Sequence, residues 1–265
     1  MIYITGDTHG CLPDGFMSVD GFSRRLNSDS FPEQKTMTKE DYIIIAGDFG
    51  GVFEVTGTKE ENNWLTWLDK KPWTTLVVDG NHENFDRLEA FPEVDYRGGR
   101  AHQIRESVFH LMRGHIFEIG GKSIWTFGGA KSHDIEGGIL RREDFASTRS
   151  FNREKKRLTN EGVHFRVDHE SWWEREFATE EEMERGREAL KKRGGQVDYL
   201  VTHCGPASAV RAIRGEGYEP DAMERYFDEI AATTQFSMWF FGHYHVNRKI
   251  GEKYLCLYEQ VIRIG

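Results

Sequence analysis

Five short motifs, each placed directly after an apolar, mostly β-branched or aromatic run, most constrain how this 265-residue chain folds. Runs of this length and composition are typical of buried strands, so all five motifs are expected where a strand ends in a loop. Open α/β sheets bind ligands at that edge. In chain order the runs are Ile2–Ile4, Ile43–Ile45, Leu76–Val78, Tyr199–Val201 and Trp239–Phe241, and the motifs are TGDTHG, AGDFGG, DGNHE, VTHCGP and GHYH.

The motifs carry seven side chains of the types that bind divalent cations. Oxygen and imidazole donors suit borderline ions such as Mn²⁺, Fe²⁺ or Zn²⁺, whereas a cysteine-rich set would have indicated a closed structural zinc site. A single His at a strand end is usually structural, but seven donors in one ordered set predict a metal site. The seven are Asp7, His9, Asp48, Asn81, His203, His243 and His245.

With these motifs in this order, the chain resembles the calcineurin-like metallophosphoesterases over nearly its whole length. The resemblance implies an α/β fold, a four-layer αββα sandwich of two mixed β-sheets flanked by helices. It also implies a dinuclear, metal-dependent phosphoester hydrolase. By motif, the first ion would be held by Asp7, His9 and His245, the second by Asn81, His203 and His243, and both by the bridging Asp48.

The expected cofactor is a pair of divalent ions, with Mn²⁺ first and Fe²⁺, Zn²⁺ or Ni²⁺ as alternatives. Two cations about 3.5–4 Å apart lower the pKa of a shared water, so the expected reaction is in-line attack of a metal-bound hydroxide on phosphorus. His82, next to Asn81 but outside the metal set, is predicted to give the leaving oxygen a proton or a hydrogen bond. The alternative is that His82 only supports the ligands.

One position departs from the protein Ser/Thr phosphatases of this superfamily. Those enzymes carry an Asp three residues after the bridging Asp, followed by Arg-Gly, whereas this chain has Gly51 there, followed by Val and Phe. The carboxylate that supports the catalytic His and the phosphate-holding Arg of that branch are therefore missing. Either Glu83 or Asp86 orients His82, or His82 works unassisted. The departure argues against a phosphoprotein phosphatase of that type.

Length and composition favour one enzyme domain over residues 1–265. The net charge of −9 counts against a protein that binds long nucleic acid. A strand that begins at Met1 leaves no room for a signal peptide, and no apolar stretch approaches the ~18 residues of a membrane span, so a cytoplasmic location is expected. Three cysteines without zinc spacing fit a reducing compartment. Of these, Cys11 and Cys204 are predicted to be small packing residues, and no feature indicates an oligomeric state.

Capping and turn signals predict the elements between the motifs. Thr or Asn before an apolar face marks a helix start, and breaks at Arg113-Gly114 and Gly120-Gly121 separate strands that we expect to form hairpins. The predicted elements are a helix beginning within 22–26, a loop over 32–38, helices beginning at Thr58, Asn84 (to Phe91), Thr179 (to Gly194) and Pro220, and strands over 108–112, 115–119 and 123–127.

Residues 131–178 form a charged, aromatic insertion that is longer than ordinary connections, and we interpret it as a substrate cap. Residues 141–157 contain seven basic and three acidic side chains. The alternative interpretation is that this basic stretch is only a solvated surface. Trp172 and Trp173 are expected to anchor the cap rather than stack on a substrate. The residues predicted to contact substrate are Lys131, His133, Arg141 and Arg142, with Arg149 as a further candidate.

Gly128-Gly129-Ala130, with Ser132 and Asp134, resembles a signature of uncharacterised bacterial and phage members of the family. The expected substrate is a small phosphomonoester or phosphodiester. The alternatives are a nuclease that processes nucleic acid and a non-catalytic binding subunit, and the complete donor set disfavours the latter. Metal motifs set the reaction, whereas the pocket walls set the molecule, so the sequence names no substrate.

Overall fold

The computed structural model describes residues 1–10 and 21–265, and its largest sheet has seven strands. These strands are β1 (Ile2–Thr5), β2 (Tyr42–Ala46), β3 (Thr74–Val78), β4 (Glu93–Tyr96), β5 (Gly99–Arg105), β6 (Val108–Leu111) and β15 (Ile262–Ile264). Their order is β15-β1-β2-β3-β6-β5-β4. The central strands β1, β2, β3 and β6 are parallel and the outer pairs are antiparallel, so this first sheet is mixed.

The second sheet has six strands and is also mixed. They are β7 (His115–Ile119), β8 (Lys122–Phe127), β11 (Tyr199–Thr202), β12 (Met238–Phe241), β13 (Arg248–Ile250) and β14 (Tyr254–Cys256). Their order is β13-β14-β12-β11-β8-β7, with β14, β12, β11 and β8 parallel. The motif-bearing strands β11 and β12 therefore end at the same edge of this sheet.

Seven α-helices occur in the part of the chain that the structure describes. They are α1 (Phe22–Arg25), α2 (Lys59–Asp69), α3 (Phe85–Leu88), α4 (Thr148–Glu161), α5 (Glu180–Lys192), α6 (Ala207–Arg214) and α7 (Ala222–Thr233). None of these helices is long and apolar enough to cross a membrane.

Apolar side chains fill the spaces between sheets and helices. Alternate residues of a strand point to opposite faces, so Ile44 of β2 faces the second sheet, whereas Ile43 and Ile45 pack with α2. On the outer face of the second sheet, Trp125 and Phe127 pack with α5, α6 and α7. The order of layers is helices, sheet, sheet, helices, which confirms the predicted four-layer sandwich.

Most of the helix starts predicted from capping signals are confirmed. Complete capping boxes begin α2 at Thr58 and α5 at Thr179, and the Asn84 side chain caps α3. However, α3 ends at Leu88 rather than Phe91, and the helix assigned to Pro220 begins one residue later, at an Asp221 cap. The predicted loop over 32–38 was wrong, since Pro32–Thr36 is a 3-10 helix that starts at the proline, where a missing N–H costs nothing.

The hairpin arrangement predicted for residues 108–127 was half right. β7 and β8 do pair as an antiparallel hairpin, but β6 and β7 lie in different sheets. Gly114, with φ +77°, sits at the turn between them, and Leu111 and Phe117 enter the same apolar layer from opposite sheets. The two strands lie on opposite sides of that layer because each buries apolar side chains in it. No local pattern in the sequence signals this arrangement.

The insertion over 131–178 is a folded unit. It contains α4, the paired short strands β9 (Ile139–Leu140) and β10 (Arg166–Val167), and an apolar cluster of its own. The cluster's buried residues are Leu140, Phe151, Leu158 and Val167.

Candidate metal centre

The five motif loops meet where the parallel strands of both sheets end. Six non-glycine residues in the described part of the chain have positive φ, and four of them are candidate ligands: His9 (46°), Asp48 (43°), His243 (68°) and His245 (49°). Left-handed backbone at non-glycine residues costs of order 1–3 kcal/mol each and clusters at functional sites. The fold therefore holds these side chains in strained turns.

Close approach requires glycine beside two of the candidate ligands. A Cβ at Gly80 would lie 2.0 Å from Asp48 Oδ1, and a Cβ at Gly242 would lie 2.1 Å from Asp7 Oδ1. Neither distance is sterically possible, so these two motif glycines leave room for the carboxylates.

Four of the seven candidate ligands form one compact group. Asp7, His9, Asp48 and His245 each offer a donor atom within 4.8 Å of all the others. His245 Nε2 lies 3.1 Å from Asp7 Oδ2 and 3.1 Å from His9 Nε2. Burial opposes positive charge on His245, but Asp7 outweighs it and raises the pKa of this imidazole.

The other three candidates, Asn81, His203 and His243, lie together around the His203 ring, next to Asp48. His203 Nε2 lies 3.1 Å from Asn81 Oδ1 and 3.3 Å from Asp48 Oδ1, and the His243 ring centre is 5.0 Å from that of His203. His203 Nδ1 is 2.9 Å from the carbonyl oxygen of Ala46. Because this carbonyl holds a proton on Nδ1, Nε2, which faces Asn81 and Asp48, is the nitrogen that would bind a metal ion.

The buried carboxylates of Asp7 and Asp48 stabilise positive charge on the neighbouring His203. Burial disfavours a charged imidazole, yet Asp48 and Asp7 raise the pKa of His203 to about 10. His203 and His82 in turn oppose the burial of Asp48 and hold the pKa of its carboxyl well below the usual range. Carboxylate, imidazole and amide donors of this kind, arranged around a site that stabilises a cation, fit a pair of borderline divalent ions.

The His82 ring lies beside the candidate ligands, and no hydrogen bond joins the ring to them in the described part of the chain. Its backbone N–H donates to Asp48 Oδ1 (2.9 Å), and its half-buried ring is 5.6 Å from that of His9. Burial lowers the pKa of His82 to about 4. Neither proposed carboxylate hydrogen-bonds the His82 ring in the described structure, because Glu83 accepts the Phe49 N–H and Asp86 accepts His169 and Trp173.

The calcineurin-like phosphoesterase family model matches residues 1–247 of the chain. The chain belongs to this family. The resemblance carried by the five motifs is thereby confirmed, and with it a divalent-metal requirement, which the Asp and His cluster fits.

Comparison with solved structures finds a candidate 5′-nucleotidase from Staphylococcus aureus, crystallised in complex with alpha-ketoglutarate, with a TM-score of 0.44 and 14% identity. The match covers 97% of this chain and 48% of that one, so this chain spans about half of that protein's length. No curated protein matches the chain.

A cavity of about 940 Å³ opens beside His243. Two of the residues predicted to contact substrate, Lys131 and His133, line it, and the His133 ring centre is 5.2 Å from that of His243. Two cations that the sequence analysis missed, Arg214 and Arg225, also line it. The acidic side chains of the lining are Glu136, Glu219, Asp221 and Glu224. 

Arg141 and Arg142, the other two predicted substrate contacts, are not among the residues that line this cavity. Arg141 lies 3.6 Å from Asp168, and Arg142 lies 3.6 Å from Glu170, so both cations are paired within the insertion itself. A long side chain can point either way from the backbone, and here both side chains point toward acidic partners that the fold brings close. Arg149 is exposed and is not a lining residue either.

The two tryptophans and Cys204 are packing residues. Trp172 and Trp173 are buried, and Trp173 Nε1 donates to Asp86 on α3 (2.8 Å), which ties the insertion to the helix that follows the DGNHE motif. Burial raises the pKa of the Cys204 thiol well above its usual value, which disfavours a nucleophilic thiolate. Cys11, the other cysteine singled out, lies outside the described residues.

Asp79 and Arg113 form a buried ion pair beneath the candidate metal centre. The sequence analysis missed this pair. Arg113 donates from Nε (2.9 Å) and Nη2 (2.6 Å) to Asp79 Oδ2, and His110 Nε2 is 3.0 Å from Asp79 Oδ1. Arg113 also donates to the carbonyls of Arg175 and Phe177 at the end of the insertion. An Asp directly after an apolar strand could have signalled a buried ion pair, but its partner 34 residues away has no local signature.

Arg113→Met is expected to destabilise the protein by about 3–5 kcal/mol, because the buried Asp79 carboxylate loses its cation. Denaturant unfolding measures the loss. Adding Asp79→Asn removes the uncompensated charge, so the double variant should recover part of the stability. A loss for the single variant under about 1 kcal/mol, the size seen for exposed pairs, would contradict the buried pairing.

Proposed function

We propose that the protein is a metal-dependent phosphoester hydrolase that acts on a small phosphomonoester or phosphodiester through a dinuclear centre. The observation that carries the proposal is the meeting of all seven motif donors, with His82 beside them, at the joint edge of the two sheets. The family match supports the reaction class. A non-catalytic subunit would have no need of this converging set.

The ligand assignment follows the two groups of side chains. Asp7, His9 and His245 would hold one ion, Asn81, His203 and His243 would hold the other, and Asp48, which lies between the groups, would bridge them. When bound, the ions would supply a Lewis acid for the phosphoryl oxygen and acidify water. The donors suit Mn²⁺, which we propose first, and permit Fe²⁺, Zn²⁺ or Ni²⁺.

The chain's own groups supply the remaining steps. His82 would hydrogen-bond the leaving oxygen through a ring N–H, which a neutral imidazole retains. Lys131, His133 and Arg214 would contact the part of the substrate that extends from the centre into the cavity beside His243. Residues 131–178 would form the cap, because Lys131 and His133 come from the beginning of this segment.

A screen of mono- and diesters with Mn²⁺, together with metal analysis of the untreated protein, tests the proposal. We expect two ions per chain and ester hydrolysis that a chelator abolishes and added metal restores. Absence of hydrolysis from the fully metal-loaded protein across both ester classes would contradict the proposal.

The second candidate, a nuclease, rests on one exposed face of α4. Arg149, Arg153 and Lys156 are exposed at helical spacing, and no ion pair to them is found in the described part of the chain. The net charge of −9 opposes this alternative. Binding to a nucleic-acid backbone weakens steeply with salt, whereas hydrolysis of a small ester loses far less, so the salt dependence of KM separates the two candidates.

Arg214 is a cavity cation that lies against a motif loop, since its guanidinium is 5.4 Å from the centre of the ring of Tyr244, which stands between His243 and His245 in sequence. Arg214→Gln is expected to raise KM for the true substrate about tenfold, because a charge-assisted hydrogen bond contributes about 1.5–3 kcal/mol. A small generic ester should be little affected. Steady-state kinetics on both substrates measure the difference.

The matched control for Arg214→Gln is Arg142→Gln, which removes the same charge from an arginine that pairs with Glu170 and lies over Phe151. This control should leave KM unchanged. Equal effects of the two variants would mean that the cavity beside His243 does not hold the substrate.

A further inference from the structure

The Asn81 side chain must present one particular face to a metal ion. Its carboxamide carries an oxygen that can bind a cation and an NH₂ group that cannot, and the two differ only by a flip of the side chain. In the structure Oδ1 lies 3.1 Å from His203 Nε2, and Nδ2 donates to Ser132 Oγ at 3.2 Å. The contact with Ser132 therefore accompanies the orientation that a metal ligand needs.

Glu176 determines which way the Ser132 hydroxyl donates. Ser132 Oγ donates to Glu176 Oε2 (2.7 Å), and the Ser132 backbone N–H donates to Oε1 (3.0 Å). Because the hydroxyl proton is directed to the carboxylate, an oxygen lone pair faces Asn81 and can accept only its NH₂ group. The donors run in one direction, from Asn81 through Ser132 to Glu176.

This chain of hydrogen bonds is buried and comes from the insertion. Asn81, Ser132 and Glu176 are 3%, 2% and 1% exposed, so water does not compete for their polar atoms. Buried polar networks of this kind impose one arrangement, because a reversed partner leaves two donors or two acceptors facing each other. Ser132 and Glu176 lie near the two ends of the insertion over 131–178.

We infer that Ser132 and Glu176 are positioning residues that orient the Asn81 carboxamide with its oxygen toward the second metal position. The inference rests on the proposed function, in which Asn81 is a ligand of that ion. It gives the insertion a role at the metal centre in addition to covering it, since the insertion supplies the contacts that make one ligand competent.

Glu176→Gln is the decisive variant, because it keeps the size of the side chain and reverses the hydrogen-bond direction. The Ser132 N–H still requires the remaining carbonyl oxygen, so the new NH₂ group faces Ser132 Oγ and donates to it. The hydroxyl proton then points to Asn81, which must turn its own oxygen to Ser132 and away from the metal position. We expect the affinity for the second ion to fall about 10–100-fold, as for other changes behind a ligand, with the first ion unaffected.

Calorimetric titration of the metal-free protein with Mn²⁺ measures both affinities, and the electron paramagnetic resonance signal of a coupled Mn²⁺ pair should be lost at ion concentrations that fill both sites in the wild type. Glu174→Gln, a change at an exposed glutamate in the same 3-10 helix, is the matched control and should bind both ions normally. Thermal unfolding of each metal-free variant reports on folding.

Two Ser132 variants separate orientation from packing. Ser132→Ala leaves Asn81 without a directing partner, so its effect should be smaller than that of Glu176→Gln, although it removes an atom that Glu176→Gln retains. In the double variant, the loss of the hydroxyl removes the reversal, so the second-ion affinity should return to that of Ser132→Ala alone. A packing role predicts the opposite order and no such recovery.

Three results would overturn the inference: normal binding of both ions by Glu176→Gln, equal weakening of both ions together with a lower melting temperature of the metal-free variant, or a double variant worse than either single one. A wild-type protein that binds fewer than two ions would instead contradict the proposed function, and would do so before any variant is compared.

Discussion

Asp48→Asn is expected to abolish metal-dependent turnover and to remove both ions. Asp48 is 2% exposed and lies between the two donor groups, with Oδ1 3.3 Å from His203 Nε2 and Oδ2 4.0 Å from His9 Nε2. Asparagine keeps the shape but removes the negative charge that both cations share. Because residues behind a ligand alone contribute 10–100-fold, we expect the loss of a bridging ligand to exceed about 10²-fold in activity.

Metal analysis and turnover at saturating Mn²⁺ measure this effect. The matched control is Asp144→Asn, since Asp144 is exposed in the 3-10 helix Arg142–Asp144 of the insertion and its loss changes the net charge equally. An Asp48→Asn protein that retains near-normal turnover would show that Asp48 does not bridge the ions. Loss of only one ion would assign Asp48 to that ion alone.

His82→Ala should lower turnover on esters with poor leaving groups by about 10²–10⁴-fold and leave the metal content intact. The ring of His82 lies beside that of His9, whereas its contact with Asp48 is made by the backbone N–H, which alanine retains. The substitution therefore removes the group proposed to act on the leaving oxygen without disturbing the carboxylate between the metal positions.

The leaving group distinguishes the role of His82 in the reaction from a supporting role. A p-nitrophenolate anion is stable without a proton, so the deficit of His82→Ala should shrink on p-nitrophenyl esters. Equal deficits on good and poor leaving groups would contradict the proposed hydrogen bond from His82 to the leaving oxygen. Loss of a metal ion would place His82 in the coordination sphere. Asp86→Asn is a useful companion variant, because Asp86 contacts His169 and Trp173 rather than His82 and should leave this leaving-group dependence unchanged.

Local patterns were sufficient to locate the candidate ligands in the chain. Each motif follows a run that is a buried strand in the structure. A short apolar run that ends at glycine and polar residues is typical of a strand buried between two apolar layers. Capping boxes are similarly local, which explains why the starts of α2 and α5 were predicted at the right residue. The family's ordered motif set then supplied the expected four-layer fold.

These local patterns did not predict which sheet a strand joins or which way a long side chain points. Nothing within β6 or β7 shows that they belong to different sheets, and nothing near Arg141 or Arg142 shows that Asp168 and Glu170 pair with them. Arg214, on a helix that the sequence analysis did not predict, reaches the cavity instead. The Arg141 and Arg142 side chains point toward anionic partners, and the fold brings those partners close.

The sequence by itself therefore determined which candidate ligands meet at the joint edge of the sheets, because strand ends and glycine-rich turns are encoded within a few residues. Only the tertiary structure decided how those residues are supported. Asp79 meets Arg113, Asn81 meets Ser132, and Ser132 meets Glu176, across separations of 34 to 51 residues in the chain. Buried polar groups must find partners wherever the packing places them, so contacts of this kind depend on the whole fold and leave no pattern along the chain.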